Sequence, residues 1–287
     1  MNRKPNRLAM LVQYGILLVF SVIALYPIWF VILASGRAGQ RLYTFNLLGM
    51  FIPTEWSFEN YQKVIAGNPA VGDPPFLTWL QNSFFVAGST TVACLLIATS
   101  AAFAFSRFRF RGRELGLILF LAFQSFPGVL SLVPVAQLLT AMGLYKSHLG
   151  LILAYTSGTL VFTTYLMKGY FDTIPMDLEE AGMIDGCGPV QSFLLIALPL
   201  ARPALAVTAL FAFMAGWGEY ILASVLVPAP EEMKTAMVGM YRIANEVNIP
   251  WGEFAAGTVI IIIPVLIVFL YLQRFLQGGL TLGGVKG

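Results

Sequence analysis

Residues 81–113 read Q-N-S-F-F-V-A-G-S-T-T-V-A-C-L-L-I-A-T-S-A-A-F-A-F-S-R-F-R-F-R-G-R. From Gln81 to Ser106 no side chain carries a charge, and then Arg107, Arg109, Arg111 and Arg113 follow in quick succession. About 20 helical residues cross a hydrocarbon layer about 30 Å thick, so the run at 81–105 can span a bilayer. Lipid offers no partner for an exposed backbone N–H or C=O, so that run must be a helix. Lys and Arg concentrate in short cytoplasmic loops, which places Arg107–Arg113 inside the cell. The phenylalanines between the arginines also suit a nucleic-acid surface, but a topology signal accounts for the cluster, and no nucleic acid is expected as a partner.

Five more runs have the same character, at about 9–35, 115–140, 149–168, 203–227 and 255–276. The 287 residues are 58% hydrophobic and only 11% charged, with a mean hydropathy of +0.78. A soluble domain carries about 25% charged residues, so a single aqueous core is excluded. The expectation is an all-α integral membrane protein of six transmembrane helices. Pro27, Pro127, Pro134 and Pro264 fall inside runs and should kink them. Gly88–Thr91 and Ala98–Ala104 are stretches of small residues that allow close helix approach.

Most of the 17 lysines and arginines lie on the same side as Arg107–Arg113, so both termini are expected in the cytoplasm. The basic start, Met1–Arg7, resembles a signal peptide, but the apolar run from Leu8 to Ala34 is too long for a signal h-region and reads as an uncleaved span. Cys94 lies within the second span and Cys187 in a cytoplasmic loop, so no disulfide is expected. With His148 the single histidine and no C-x-x-C pair, no metal site is expected either. Three segments outside the bilayer are substantial: external loops at about 36–80 and 228–254, and a cytoplasmic stretch at about 169–202.

Residues 172–203 of that stretch read D-T-I-P-M-D-L-E-E-A-G-M-I-D-G-C-G-P-V-Q-S-F-L-L-I-A-L-P-L-A-R-P. Thr173 is a candidate helix cap and Pro175 suits a first turn. Asp177, Glu179 and Glu180 put negative charge where the helix dipole favours it. Gly186 and Gly188 stop the helix and Pro189 can begin another. The stretch therefore encodes a short helix, a glycine turn and a second amphipathic helix running to Pro199. Such a short helix needs packing from outside itself. That packing comes either from the bundle, as a connector on the membrane surface, or from a partner protein.

Glu180-Ala181-Gly182, Asp185-Gly186, Ile196 and Leu198-Pro199 resemble the EAA motif of ATP-binding-cassette importer permeases, in which E-A-A is followed by a Gly and, further on, by I-x-L-P. Gly182 stands where the second Ala is usual; it is also small but lowers helix propensity. Lys168–Phe171, Phe126–Val133 and the tail from Gln273 to Gly287 are similar to the smaller permease of the maltose/maltodextrin subgroup, from about residue 78 onward.

The resemblance implies a type I importer permease fold with a cytoplasmic coupling helix at Thr173–Gly186, docked in a groove of a separate ATPase. It implies four kinds of partner: a second permease, two ATPase subunits, an extracytoplasmic sugar-binding protein and membrane lipid. It also implies a bacterial or archaeal cytoplasmic membrane. The last external loop would reach the sugar cleft of the binding protein, and Gly283, Gly284 and Lys286 of the tail would extend between the ATPases. ATP and Mg²⁺ would be used by those subunits and no cofactor held here, since Gly283–Gly287 lacks the spacing and final hydroxyl of a P-loop. On this reading the chain is not itself an enzyme, and it works by alternating access driven from the coupling helix.

Glu219, in Gly216-Trp217-Gly218-Glu219-Tyr220, is the clear carboxylate within a span. Such an acid either marks a pathway or gate or serves as a structural hydrogen-bonding group. Trp79, Phe123, Phe126 and Tyr155 could form a sugar platform, but aromatics in spans are commonly packing or interface residues, and none is assigned to sugar. Other readings are a permease for another oligosaccharide or for glycerol phosphate, and an ion-driven secondary transporter, which needs no docking helix. An intramembrane hydrolase would need a Ser–His pair or H-E-x-x-H, and neither pattern occurs.

Overall fold

The computed structural model describes residues 7–40, 48–52, 56–67, 74–245 and 249–282. Among them every regular element is helical. In chain order these are α1 (Arg7–Ser35), α2 (Glu59–Ala66), α3 (Phe76–Arg107), α4 (Arg113–Gln124), α5 (Leu132–Ala141), α6 (His148–Phe171), α7 (Asp177–Ile184), α8 (Pro189–Ser192), α9 (Leu198–Leu200), α10 (Arg202–Trp217), α11 (Ile221–Leu226), α12 (Ala236–Ala244) and α13 (Trp251–Leu282). A π-helical turn, Phe193–Ala197, joins α8 to α9. The chain groups into two compact units, residues 1–69 with 240–262 and residues 70–239 with 263–287.

In the first unit α1 exposes apolar side chains along most of its length, as a lipid-facing helix does. Its last residues, Leu33, Ala34 and Ser35, are buried. There the Ser35 hydroxyl meets the Tyr61 hydroxyl at 2.7 Å, and the buried Asn60 amide donates to the carbonyls of Ser35 (3.1 Å) and Arg37 (2.8 Å). Gln40 Oε1 accepts the Gly252 N–H at 3.0 Å, meeting one of the unpaired donors at the start of α13. The polar residues that follow α1 thus close off helix ends.

The second unit is organised on α3, which packs against α6 and α10. Along the middle of α3 the face turned inward is made of small residues, Ala87, Thr90, Cys94, Ala98 and Ala102, with Trp79, Val86 and Phe103 buried toward its ends. The closest approach is at Gly216 of α10, where an added Cβ would lie 3.1 Å from Ala87 Cα. Gly88 faces open space instead. One apolar cluster gathers Val86, Leu151, Tyr155, Leu226 and Val227; another gathers Phe103, Met167, Phe171, Ile174 and Ala201.

Among the described residues four helices are continuous, long and apolar enough to cross a membrane: Met10–Ser35, Phe76–Arg107, His148–Phe171 and Trp251–Phe275. The count rises to six when each of two bent pairs is taken as one span. The expected span at 115–140 is bent by 93° between Gln124 and Gly128. Pro127 has no N–H for the carbonyl of Phe123 and disfavours a helical Phe126, so α4 ends there. Pro134 does not kink its helix, because it sits in the first turn of α5, where N–H groups are free in any case. The expected span at 203–227 is also not one helix. α10 stops at Trp217 and is bent by 79° from the Pro189–Leu200 segment before it, while α11 restarts at Ile221.

Candidate coupling surface and the carboxylate of the fifth span

α7 holds together by its ends and by one buried face. Its N-terminus carries Asp177, Glu179 and Glu180 in the first turn. Thr173 does not cap it: the Thr173 hydroxyl turns back and donates to Tyr170 O at 2.7 Å, and Met176 occupies the cap position. The C-terminus closes with two crossed bonds, Cys187 N–H to Gly182 O (2.9 Å) and Gly186 N–H to Met183 O (3.1 Å). This is a Schellman closure, and it requires the left-handed backbone that Gly186 adopts at φ +94°. The following helix is capped by Gln191, whose Oε1 accepts the Gly188 N–H at 2.9 Å.

The inner face of α7 bears the buried Gly182 and Glu179. Gly182 lies directly under Ile196, whose δ-methyl fills the space a Cβ would take. Ile196 is within the π-helical turn, and Leu198 N–H reaches back to Phe193 O there. Pro199 explains the widened turn, since it has no N–H for Leu195 O and its ring crowds that carbonyl. The structure therefore packs Gly182 against Ile196, with Pro199 one turn further along that segment, and leaves Glu180, Ala181, Asp185 and Gly186 exposed.

This exposed side carries several apolar side chains. Met176, Leu178, Met183 and Ile184 are all exposed, Ile184 to 87%, together with Val190 of α8. Several exposed apolar side chains on one short helix, with the exposed Glu180 and Asp185 among them, are characteristic of a protein interaction site.

Glu179 does more than the dipole role its sequence position suggests. It receives Arg107 Nε at 2.8 Å, and the two side chains are each only 6% exposed. Arg107 also donates through Nη2 to Ile174 O at 2.9 Å. The neighbouring Ser106 hydroxyl donates to Asp172 Oδ1 at 2.6 Å, and Lys168 pairs with Asp172 Oδ2 at 2.7 Å. Burial alone would raise the Asp172 carboxyl, but the bonds from Lys168 and Ser106 outweigh it and hold the group below the usual carboxylate range. Arg107 is thus more than a topology signal, whereas Arg109 and Arg111 remain exposed.

Glu219 sits in the break between α10 and α11. Its carboxylate accepts Leu222 N–H (2.7 Å), Ala223 N–H (2.9 Å) and the Tyr155 hydroxyl (2.8 Å). An anionic acceptor thereby meets two of the free donors that begin α11. This geometry suits a structural hydrogen-bonding group. Of the four aromatics considered as a platform, Trp79 and Tyr155 are buried, while Phe123 and Phe126 are exposed near the bend after α4.

Residues 228–239 are anchored rather than loosely solvated. Trp79 Nε1 donates to Glu231 O (2.8 Å), Asn82 donates to Glu232 O (2.6 Å) and Lys234 O (2.9 Å), and Ser83 Oγ accepts Ala236 N–H (2.8 Å). Gly239 lies against the Trp79 ring with no room for a side chain. The tail candidates Gly283, Gly284 and Lys286 lie outside the described residues.

A helical chain with several apolar spans and a short helix outside them that exposes apolar residues is compatible with a membrane permease. Comparison with known proteins agrees. The family described as binding-protein-dependent transport system inner membrane component matches residues 95–281. The galactooligosaccharides transport system permease protein GanQ of Bacillus subtilis is 38% identical over 97% of this chain and 96% of that protein. The maltose/maltodextrin transport system permease protein MalG of Salmonella typhimurium is 38% identical over 99% of this chain and 98% of that protein. A solved bacterial ABC transporter involved in the import of the acidic polysaccharide alginate has a chain that superposes with a TM-score of 0.77 at 25% identity, covering 96% of this chain and 98% of that one. The chain belongs to the family of binding-protein-dependent transport system inner membrane components. It has the type I importer permease fold and is a transport component, not an enzyme.

Proposed function

We propose that this chain forms half of the transmembrane pathway of an ATP-driven oligosaccharide importer, and that α7 is the element through which a separate ATPase drives it. The observation that carries the coupling reading is the apolar outer face of α7, Met176, Met183 and Ile184, set on a rigid base by Gly182–Ile196 packing and the Arg107–Glu179 pair. Glu180 and Asp185 are exposed on the same helix and suit basic residues of a docking groove. The names of the relatives support an oligosaccharide of the maltodextrin or galactooligosaccharide kind as substrate.

The working complex on this reading contains a second permease, two ATPase subunits that use ATP and Mg²⁺, and an extracytoplasmic binding protein. Both termini lie in the cytoplasm, with the 107–113 arginines facing inward. Gly283, Gly284 and Lys286 serve as contacts for the ATPases, and residues 228–239 face the binding protein. Closure of the ATPases moves α7, and the helices packed on it tilt to switch the pathway from one face of the membrane to the other.

The test is uptake by proteoliposomes holding the whole complex, with labelled maltotriose and a labelled galactooligosaccharide offered in turn. The proposal expects ATP-dependent, vanadate-sensitive uptake of one of them. Uptake that follows an ion gradient and ignores ATP would overturn it.

A further inference from the structure

The last two residues of α3 hold both ends of the connector that leads from α6 into α7. Ser106 donates to Asp172 at the start of that connector. Arg107 donates to Ile174 O in its middle and to Glu179 on α7 itself. α7 has only eight residues and gains little from its own hydrogen bonds, so what it is fastened to decides how it moves. Its other attachment on this face is apolar, Gly182 beneath Ile196, and carries no directional bond.

We propose that Arg107 and Glu179 are a positioning pair that locks the coupling helix to the end of α3, so that a displacement of α7 is passed to α3 rather than taken up by the connector. The inference rests on the coupling role of α7 given above. Three features support it. The pair is buried on both sides, so water cannot easily substitute for either partner, and separating them would leave an unpaired charge. The guanidinium uses its planar fork on two different groups, Glu179 and Ile174 O, which fixes orientation as well as distance. Finally, α3 is the helix on which α6 and α10 pack, so motion delivered to its end reaches the centre of the unit. Bistable packed elements with discrete contacts transmit such motion, and a loose linker does not.

The test uses the full complex in proteoliposomes and reads sugar transported per ATP hydrolysed. The variants are Arg107→Gln, Glu179→Gln, Arg107→Lys and the exchanged R107E/E179R. The expectation is that Glu179→Gln and Arg107→Gln complexes retain their ATPase subunits and hydrolyse ATP, but transport per ATP falls about tenfold, and that the exchanged pair recovers part of the loss. Arg107→Lys keeps a charge but not the fork, and is expected to show an intermediate ratio. Transport per ATP within about twofold of the parent in the assembled Gln variants would overturn the inference. If the Gln variants do not assemble, an assembled Arg107→Lys complex with full coupling would likewise overturn it, and a reduced ratio would uphold it.

Ile184→Asp, on the opposite face of α7, separates this inference from the reading beneath it. If Ile184→Asp leaves both assembly and transport intact, the docking role itself fails. If Ile184→Asp releases the ATPases while the Gln variants couple fully, the positioning pair alone fails.

Discussion

The δ-methyl of Ile196 occupies the space where a Cβ on Gly182 would stand. The two residues belong to different helical segments, and their contact seats α7 on the segment that leads into α10. Gly182→Ala should therefore be tolerated. The flexible end of Ile196 can rotate away, and replacing a mid-helix glycine by alanine gains up to about 1 kcal/mol of helix propensity. Gly182→Leu cannot be relieved in that way and should cost about 1–3 kcal/mol by overpacking. Thermal unfolding in detergent, together with uptake, checks both: the alanine variant should match the parent and the leucine variant should melt earlier and fail to transport.

Gly186 closes α7 at φ +94°, where a side chain is strained. Gly186→Ala should cost about 1–2 kcal/mol, and Gly186→Asn less, because Asn tolerates the left-handed region better. Hydrogen exchange of the α7 amides is the direct readout. Faster exchange confined to α7 and its cap is expected, with the membrane helices unchanged.

Glu219 accepts three hydrogen bonds at the start of α11. Removing all of them with Glu219→Ala should destabilise the protein by about 1–3 kcal/mol. Glu219→Gln keeps an acceptor oxygen and should unfold closer to the parent while still transporting. A Glu219→Gln protein that is stable but inactive in uptake would show that the negative charge itself serves the pathway.

Asp172 is held below the ordinary carboxylate range by Lys168 and Ser106 against the opposing effect of burial. A carboxyl whose folded pKa is depressed contributes stability that is fully present above its unfolded value, about 3.9, and is lost as pH falls through the folded value. Asp172→Asn should thus lower the melting temperature at neutral pH and flatten its decline below about pH 4. Melting curves from neutral pH down into the acid range check the sign.

Much of this was legible in sequence because lipid leaves the chain so few choices. Long apolar runs located the membrane helices, and Pro175 and Gly186 marked the limits of α7 closely. Pro127 announced a kink, although its size, 93°, depends on how α4 and α5 pack. The break after Trp217 was not legible, because it needs Glu219 to meet the freed donors and Tyr155 to meet Glu219, a partner 64 residues away. The Arg107–Glu179 pair was hidden for the same reason. Its members are 72 residues apart, and Arg107 opens a run of arginines that reads locally as a topology signal. Proximal patterns survive in sequence, whereas pairs formed by tertiary folding leave no periodic trace.

The central claim is that the outer face of α7 contacts an ATPase subunit, and a photo-reactive side chain at Ile184 tests it most directly. A second probe at Phe123, exposed in the third span, is the control. In a transporting complex the account predicts an adduct between position 184 and the ATPase subunit that changes in yield when ATP and vanadate are added, and none to the ATPase from position 123. A complex that transports normally and yields no ATPase adduct from position 184 would contradict it.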